Sequence, residues 1–269
     1  MRSRFLLLLL ALLAITLAAC AAVPAAAGVP SPLPSPTILS PTPTLAPSLP
    51  VLSPTPTPLT PYPGALTLEQ RARLDTIARS FISLTPEEAL LTAQNLNYIG
   101  RNANPATMCG PLSLAILQQA GLVDPSIPLV DFWYLNPREG HGEKFLQTVF
   151  PAERFEKIEQ NLPVDEIDYT TTPLYPGDFL YLFAGDSGSF EHMLVVSRVD
   201  DAGRAYAVTN VNTESGVIVA EVMLYDPAHA GSGQFYEWTD WDNRFIGRTG
   251  YGGFWLWRPL AENQSRPED

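Results

Sequence analysis

Cys109 is the side chain in this sequence best suited to nucleophilic chemistry. It lies where a helix is predicted to begin, in the segment Asn104–Ala115. Backbone N–H groups and the dipole at a helix start favour a thiolate over a thiol. The only other cysteine is Cys20, near the N-terminus, so the mature chain has one cysteine free to react. Such a residue is either a reactive group or a small buried hydrophobe, and Cys109 alone is compatible with both interpretations.

A cysteine nucleophile needs a base that keeps it ionised and later protonates the leaving group. The chain has three histidines, and two of them, His141 and His229, lie in short loops rich in small residues. His192 instead begins an apolar run after a Gly/Ser loop, which predicts a strand with His192, Leu194 and Val196 on one face. His192 is therefore the candidate base, although a lone histidine at a strand edge is more often structural.

Several segments together resemble the papain-like cysteine peptidase superfamily over about residues 95–212. Met108–Ala115 is similar to the helix start of the bacteriocin-processing peptidase branch. Pro176–Tyr181 and then His192–Val196 are similar to the Gly-Asp strand and the His strand shared with NlpC-like cell-wall peptidases. Tyr98–Gly100 is similar to the Tyr-x-x-Gly approach of the NlpC-like branch. The resemblance implies a papain-like α+β fold, with N-terminal helices that include the nucleophile helix packed on a C-terminal antiparallel β-sheet.

The resemblance also implies a role for each site residue. Cys109 would be the nucleophile, His192 the general base and acid, and a residue on the following strand would orient the imidazole. Asn210 is preferred for this third position over Asn212, which alternates onto the same face. Both asparagines also fit an ordinary turn at the end of a strand. Asp226 is a further alternative, because a carboxylate would stabilise the imidazolium by charge.

The oxyanion donor is the point at which the sequence departs from the family pattern. The family places an amide side chain about six residues before the cysteine, donating to the oxyanion beside the cysteine's own N–H. That position is Ala103 in this chain. Asn102 and Asn104 flank it, and either would serve if the loop differed by one residue.

The N-terminus predicts export and lipid attachment. Arg2 and Arg4 precede an apolar run that is shorter than the ~20 residues of a membrane span. Leu17–Cys20 resembles the bacterial lipobox, which implies a signal peptide over residues 1–20, a lipid on Cys20, and a domain outside the cytoplasm on the cell membrane. An ordinary secretory signal cut a few residues later is the alternative.

Residues 21–63 predict a disordered spacer. The stretch Pro24–Pro63 holds 14 of the 27 prolines and no charged residue, so it favours an extended, semi-rigid chain. Without Arg2 and Arg4 the net charge falls from −12 to −14. Such an acidic chain is not expected to bind nucleic acid or to adhere to anionic lipid by charge.

Residues 64–260 predict one domain, followed by a disordered tail over 261–269. The pattern of its first half predicts helices. Two begin at capping boxes, at Thr67 and Thr85, and a third runs from Cys109 or Gly110 to Gly121. Weaker helical patterns cover 142–149 and 152–160. Its second half reads as strands. These are predicted over 179–183, 192–199, 205–211 and 217–224.

The aromatic and glycine-rich segment 235–257 is either core with turns or a platform for a glycan or peptide. No ligand spacing supports a metal site, and no cofactor is implied.

Taken together, Cys109, His192 and the lipobox-like segment predict a surface-anchored cysteine peptidase or amidase acting on peptide or peptidoglycan amide bonds. A non-catalytic glycan- or peptide-binding lipoprotein of the same fold and a transglutaminase-like acyltransferase are the alternatives.

Overall fold

The computed structural model describes residues 64–96, 104–133, 135–184, 191–245 and 252–261, without the side chains of 240–245. The signal peptide with Cys20, the spacer 21–63, Asn102 and residues 262–269 of the tail lie outside the described residues.

The helices of the first half begin and end where local chemistry dictates. Thr67 and Thr85 each form the predicted capping box, accepting from the backbone N–H three residues later. The helix that carries Cys109 ends at Gly121, which adopts a φ of 79° that glycine tolerates best. The described α-helices are α1 (Leu68–Arg79), α2 (Pro86–Asn95), α3 (Cys109–Ala120), α4 (Gly140–Val149) and α5 (Gln234–Phe245).

The strands form one six-stranded sheet in which every neighbouring pair is antiparallel. The strands are β1 (Phe155–Gln160), β2 (Phe179–Leu182), β3 (His192–Val199), β4 (Ala205–Thr213), β5 (Gly216–Tyr225) and β6 (Phe254–Pro259). Their order across the sheet is β1-β6-β2-β3-β4-β5. Helices followed by a C-terminal antiparallel sheet make the domain α+β, as predicted.

One segment differs from the sequence prediction. The helix predicted over 152–160 is wrong, because Phe155–Gln160 pairs with β6 as a strand. Glu and Lys favour a helix only weakly, and pairing at a sheet edge outweighs that preference. The segment 235–257 contains α5 and part of β6, and its Trp257 is buried in the core.

The sheet separates two hydrophobic clusters. The helix face carries Tyr181, Met193 and Val195, which pack with the buried side of α3. The opposite face carries residues such as Leu194 and Val196, which pack with Phe235 at the start of α5. Because neighbouring residues of a strand point to opposite faces, the apolar side chains from Met193 to Val196 alternate between the two clusters. Within the described ranges no helix is long and apolar enough to cross a membrane.

Candidate functional site

Cys109 is the first residue of α3, as the sequence predicts, and the helix start is pressed against β3. A Cβ on Gly110 would lie 2.3 Å from the Phe132 carbonyl oxygen and 2.9 Å from the Met193 sulfur. Glycine is therefore required here by close approach. The Cys-Gly pair brings the cysteine sulfur to the beginning of β3.

The Cys109 thiol lies in surroundings that keep it protonated. Burial raises its pKa, although backbone N–H groups of Met193 and Gly110 donate toward the sulfur and oppose the rise. The Glu191 carboxylate raises the pKa further. The helix start thus supplies N–H donors, as expected, but desolvation outweighs them.

The Glu191 carboxylate and the Tyr181 phenol lie on the helix face with the Cys109 thiol, where a histidine was expected. The Tyr181 hydroxyl donates a hydrogen bond to the Glu191 carboxylate. Burial, followed by this bond to Glu191, raises the pKa of Tyr181. The Arg138 guanidinium lies 3.8 Å from the centre of the neighbouring Phe183 ring. The Tyr181 phenol, whose pKa is raised, is protonated at neutral pH and cannot accept the Cys109 proton.

His192 begins β3 as predicted, but its ring lies on the opposite face of the sheet. Its Nε2 is 2.8 Å from the Thr209 hydroxyl, and its ring meets the Trp238 ring edge-on at 5.0 Å between centroids. Burial lowers the pKa of His192 to about 4, so the imidazole is neutral at pH 7.

The structure therefore does not bring His192 and Cys109 together as a base and its nucleophile. The physical reason is strand alternation. The Met193 N–H meets the sulfur, whereas the side chain of the preceding residue, His192, turns the other way.

The predicted third residues do not orient His192 either. Asn210 lies on the helix face, where its Nδ2 donates to the Ala106 carbonyl at 3.2 Å. Asp226 instead pairs with Nδ1 of His229 at 3.0 Å. The neighbour that holds the His192 ring is Thr209, one residue before Asn210 and on the other face of β4. The aspartate of a transglutaminase-like triad thus has no support from this geometry.

Of the candidate oxyanion donors, Asn104 acts as a helix cap. Its side-chain Oδ1 accepts from the Ala106 N–H at 3.0 Å and caps the short 3-10 helix Pro105–Thr107. This bond orients the Asn104 amide. Asn212 is exposed near the end of β4, and Asn102 lies outside the described residues.

A cleft of about 590 Å³ opens where the beginning of β3, the end of β4 and the beginning of α5 meet. His192, Asn210 and Asn212, three residues singled out from the sequence, line it, together with Ala106 from the turn before α3. Seven further residues line its wall: Glu191, Val211, Thr213, Glu214, Gln234, Glu237 and Trp238. Of these, only Glu237 and Trp238 belong to the aromatic segment 235–257 that the sequence singles out.

Two signals in the sequence indicate members of this set: Glu191 adjoins the candidate base, and Trp238 belongs to the aromatic segment. No local pattern indicates that the helix α5 closes a cleft against β3 and β4. Among the described residues no group of three or more His, Cys, Asp or Glu side chains is placed to hold a metal ion.

Comparison with known proteins finds no family model, no curated protein and no solved structure that matches this chain. The resemblance to papain-like peptidases therefore stays an inference from the quoted motifs.

Proposed function

We propose that this chain is a non-catalytic binding protein that holds a peptide or glycan in the cleft beside His192 and Trp238. One observation carries the proposal: the His192 imidazole faces Thr209 and Trp238 while the Cys109 thiol faces the other side of the sheet. A thiol with a raised pKa and no aligned base is a poor nucleophile.

The cleft has the size and the lining of a ligand site. Its volume of about 590 Å³ lies within the range of ~300–1,000 Å³ usual for such sites. Trp238 supplies an aromatic surface, while Asn210 and Asn212 supply amides that hydrogen-bond to hydroxyl or peptide groups. The combination of one aromatic ring with several polar groups supports recognition of a polar ligand.

We further propose that the domain acts outside the cytoplasm, attached through a lipid on Cys20. The lipobox-like segment and the proline-rich spacer 21–63 support this arrangement. A spacer of that composition would extend by ~3 Å per residue and hold the cleft away from the membrane.

The proposal is tested by titrating the mature chain, carrying Cys20→Ala for solubility, with soluble muropeptides in a calorimeter. We expect Trp238→Ala to weaken binding at least tenfold, and Cys109→Ala to leave it unchanged. Tyr236→Ala is the matched control, because Tyr236 lies on α5 two residues away, is exposed and does not line the cleft. Equal affinity of the Trp238→Ala and Tyr236→Ala proteins would contradict the proposal, as would recovery of cleaved ligand.

A second candidate function is the cysteine peptidase or amidase of papain-like type. It is favoured by one contact, the Met193 N–H directed at the Cys109 sulfur, because Met193 directly follows His192. Were the His192 ring to turn to the helix face, the thiolate would attack the amide carbon and the imidazolium would protonate the departing amine. Water activated by His192 would then release the acyl group and restore the thiol.

The second candidate requires that both side chains act in one reaction. Hydrolysis of muropeptides, followed by mass spectrometry, would have to disappear in Cys109→Ala and in His192→Ala. His141→Ala is the control, because His141 is an exposed histidine away from the cleft. The absence of any cleavage by the unaltered chain would remove this candidate.

A further inference from the structure

The cleft is acidic. Glu191, Glu214 and Glu237 line it, and all three are exposed. No lysine or arginine in the described part of the chain contributes to its wall. His192, the remaining titratable residue of the wall, is neutral at pH 7 because burial lowers its pKa to about 4. Glu191 accepts a hydrogen bond from the Tyr181 hydroxyl, whereas the carboxylates of Glu214 and Glu237 have no positive partner among the residues described.

An unsatisfied acceptor on a residue that lines the cleft points to a ligand independently of this charge. Asn210 lines the cleft and is only 8% exposed. Its Nδ2 donates to the Ala106 carbonyl, which fixes the orientation of the amide, because a flipped amide would set two oxygens against each other. Its Oδ1 has no hydrogen-bond partner among the described residues. A buried acceptor without a donor destabilises the chain, and a ligand that supplies a donor removes that cost.

The helix start in the cleft wall does not convert the cleft into an anion site. The first turn of α5 carries Glu237, whose carboxylate offsets the positive end of the helix dipole. The local field from the described residues is thus dominated by carboxylates.

We infer that the cleft takes an alkylammonium group, such as the side chain of a lysine-containing peptide. The inference rests on the proposed binding function and names its ligand class. The ammonium would donate to the Asn210 Oδ1 and remain close to the carboxylates of the rim, while its alkyl chain lies beside Trp238. An ammonium has three donors and no acceptor, which matches a site made of acceptors.

The depth of the acceptor favours this ligand over a neutral sugar. The Asn210 Oδ1 is buried, so the group that reaches it must be narrow. An ammonium at the end of an unbranched chain meets that requirement better than a pyranose ring. A sugar would also gain nothing from the carboxylate charge.

The experiment compares acetyl-Gly-Lys-Gly-amide with the same peptide carrying acetyl-lysine or norleucine, titrated into the mature Cys20→Ala chain. We expect the lysine peptide to bind at least tenfold more tightly than either neutral analogue. The combined change Glu191→Gln, Glu214→Gln and Glu237→Gln should remove that preference, and Asn210→Ala should reduce it. Glu87→Gln, Glu153→Gln and Glu156→Gln are the charge-matched control, because these glutamates are exposed and lie outside the cleft.

The outcomes separate the inference from the function on which it rests. Equal binding of the lysine and acetyl-lysine peptides would overturn the inference. Trp238-dependent binding of a neutral chitooligosaccharide, with none of the peptides bound, would overturn it while leaving the binding function in place. Failure of every probe, muropeptides included, would overturn both. Thermal melting of each variant shows whether a loss of binding reflects a loss of fold.

Discussion

Burial determines the chemistry of the residues with the most reactive side chains. For Cys109 it disfavours the thiolate and raises the pKa, and for His192 it disfavours the imidazolium and lowers the pKa to about 4. Both shifts move the pair away from the ionised state that a cysteine hydrolase uses. Each residue is instead placed as a packed, neutral group.

His192 should make the domain sensitive to acid. The unfolded chain takes up a proton near pH 6.5 but the folded chain only near pH 4, so the unfolded state binds more protons within that window. Stability is therefore lost as the pH falls through it, by about 3 kcal/mol between pH 7 and pH 4. Urea unfolding at several pH values measures this loss.

His192→Gln should remove most of that acid-dependent loss, because glutamine does not titrate. His141→Gln should leave it unchanged, since His141 is exposed. Parallel pH profiles for the His192→Gln protein and the unaltered protein would show that His192 is not buried as a neutral group.

Asp178, directly before β2, has a structural role. It is fully buried and accepts two hydrogen bonds from the Arg258 guanidinium, at 2.9 and 2.7 Å. Asp178→Asn would leave Arg258 without its counter-charge and should cost about 3–5 kcal/mol of unfolding free energy. Asp75→Asn, at an exposed pair with Arg79, should cost less than about 1 kcal/mol in the same denaturation assay. A small loss for Asp178→Asn would contradict a structural role for the pair.

At the scale of elements, the junction of α3 with β3 fixes the site. Gly110→Ala would drive a methyl group into the Phe132 carbonyl oxygen and the Met193 side chain, and should destabilise the domain by at least about 1–3 kcal/mol. Gly140→Ala, at the start of α4, is the matched control because nothing lies within 4 Å of its added Cβ. Thermal melting compares the two, and equal melting temperatures would show that the junction is looser than described.

The elements that follow from local chemistry could be predicted from the sequence. The capping boxes at Thr67 and Thr85 predict helix starts, and Gly121 predicts a helix end. The apolar run after His192 predicts a strand. Phe155–Gln160 could not be assigned, because its strand depends on pairing with β6, about a hundred residues further along the chain.

The candidate site was less predictable than the elements. The sequence correctly puts His192 on the same face of β3 as Leu194 and Val196. The sequence does not indicate which face of β3 is covered by α3. In the structure, the contact of Gly110 with Met193 determines that face. If α3 contacted β3 one residue earlier or later, the opposite set of β3 side chains would lie beside the Cys109 thiol.

At the scale of the whole molecule, we propose a tethered acidic domain with a net charge of −14 after removal of the signal peptide. Cys20→Ala should abolish the incorporation of a labelled fatty acid into the chain expressed in a bacterium, because it removes the site of lipid attachment. Metabolic labelling followed by immunoprecipitation measures this. Equal labelling of the Cys20→Ala protein and the unaltered protein would contradict a lipid anchor at that residue.

The separation of Cys109 from His192 is tested most directly by the pH dependence of Cys109 alkylation by iodoacetamide in the Cys20→Ala chain, where Cys109 is the only thiol. We expect slow labelling at pH 6 to 7, a rate that rises with an apparent pKa above the usual value of about 8.5, and no change in His192→Gln. Rapid labelling at pH 6 that is lost in His192→Gln would instead establish a catalytic Cys-His pair.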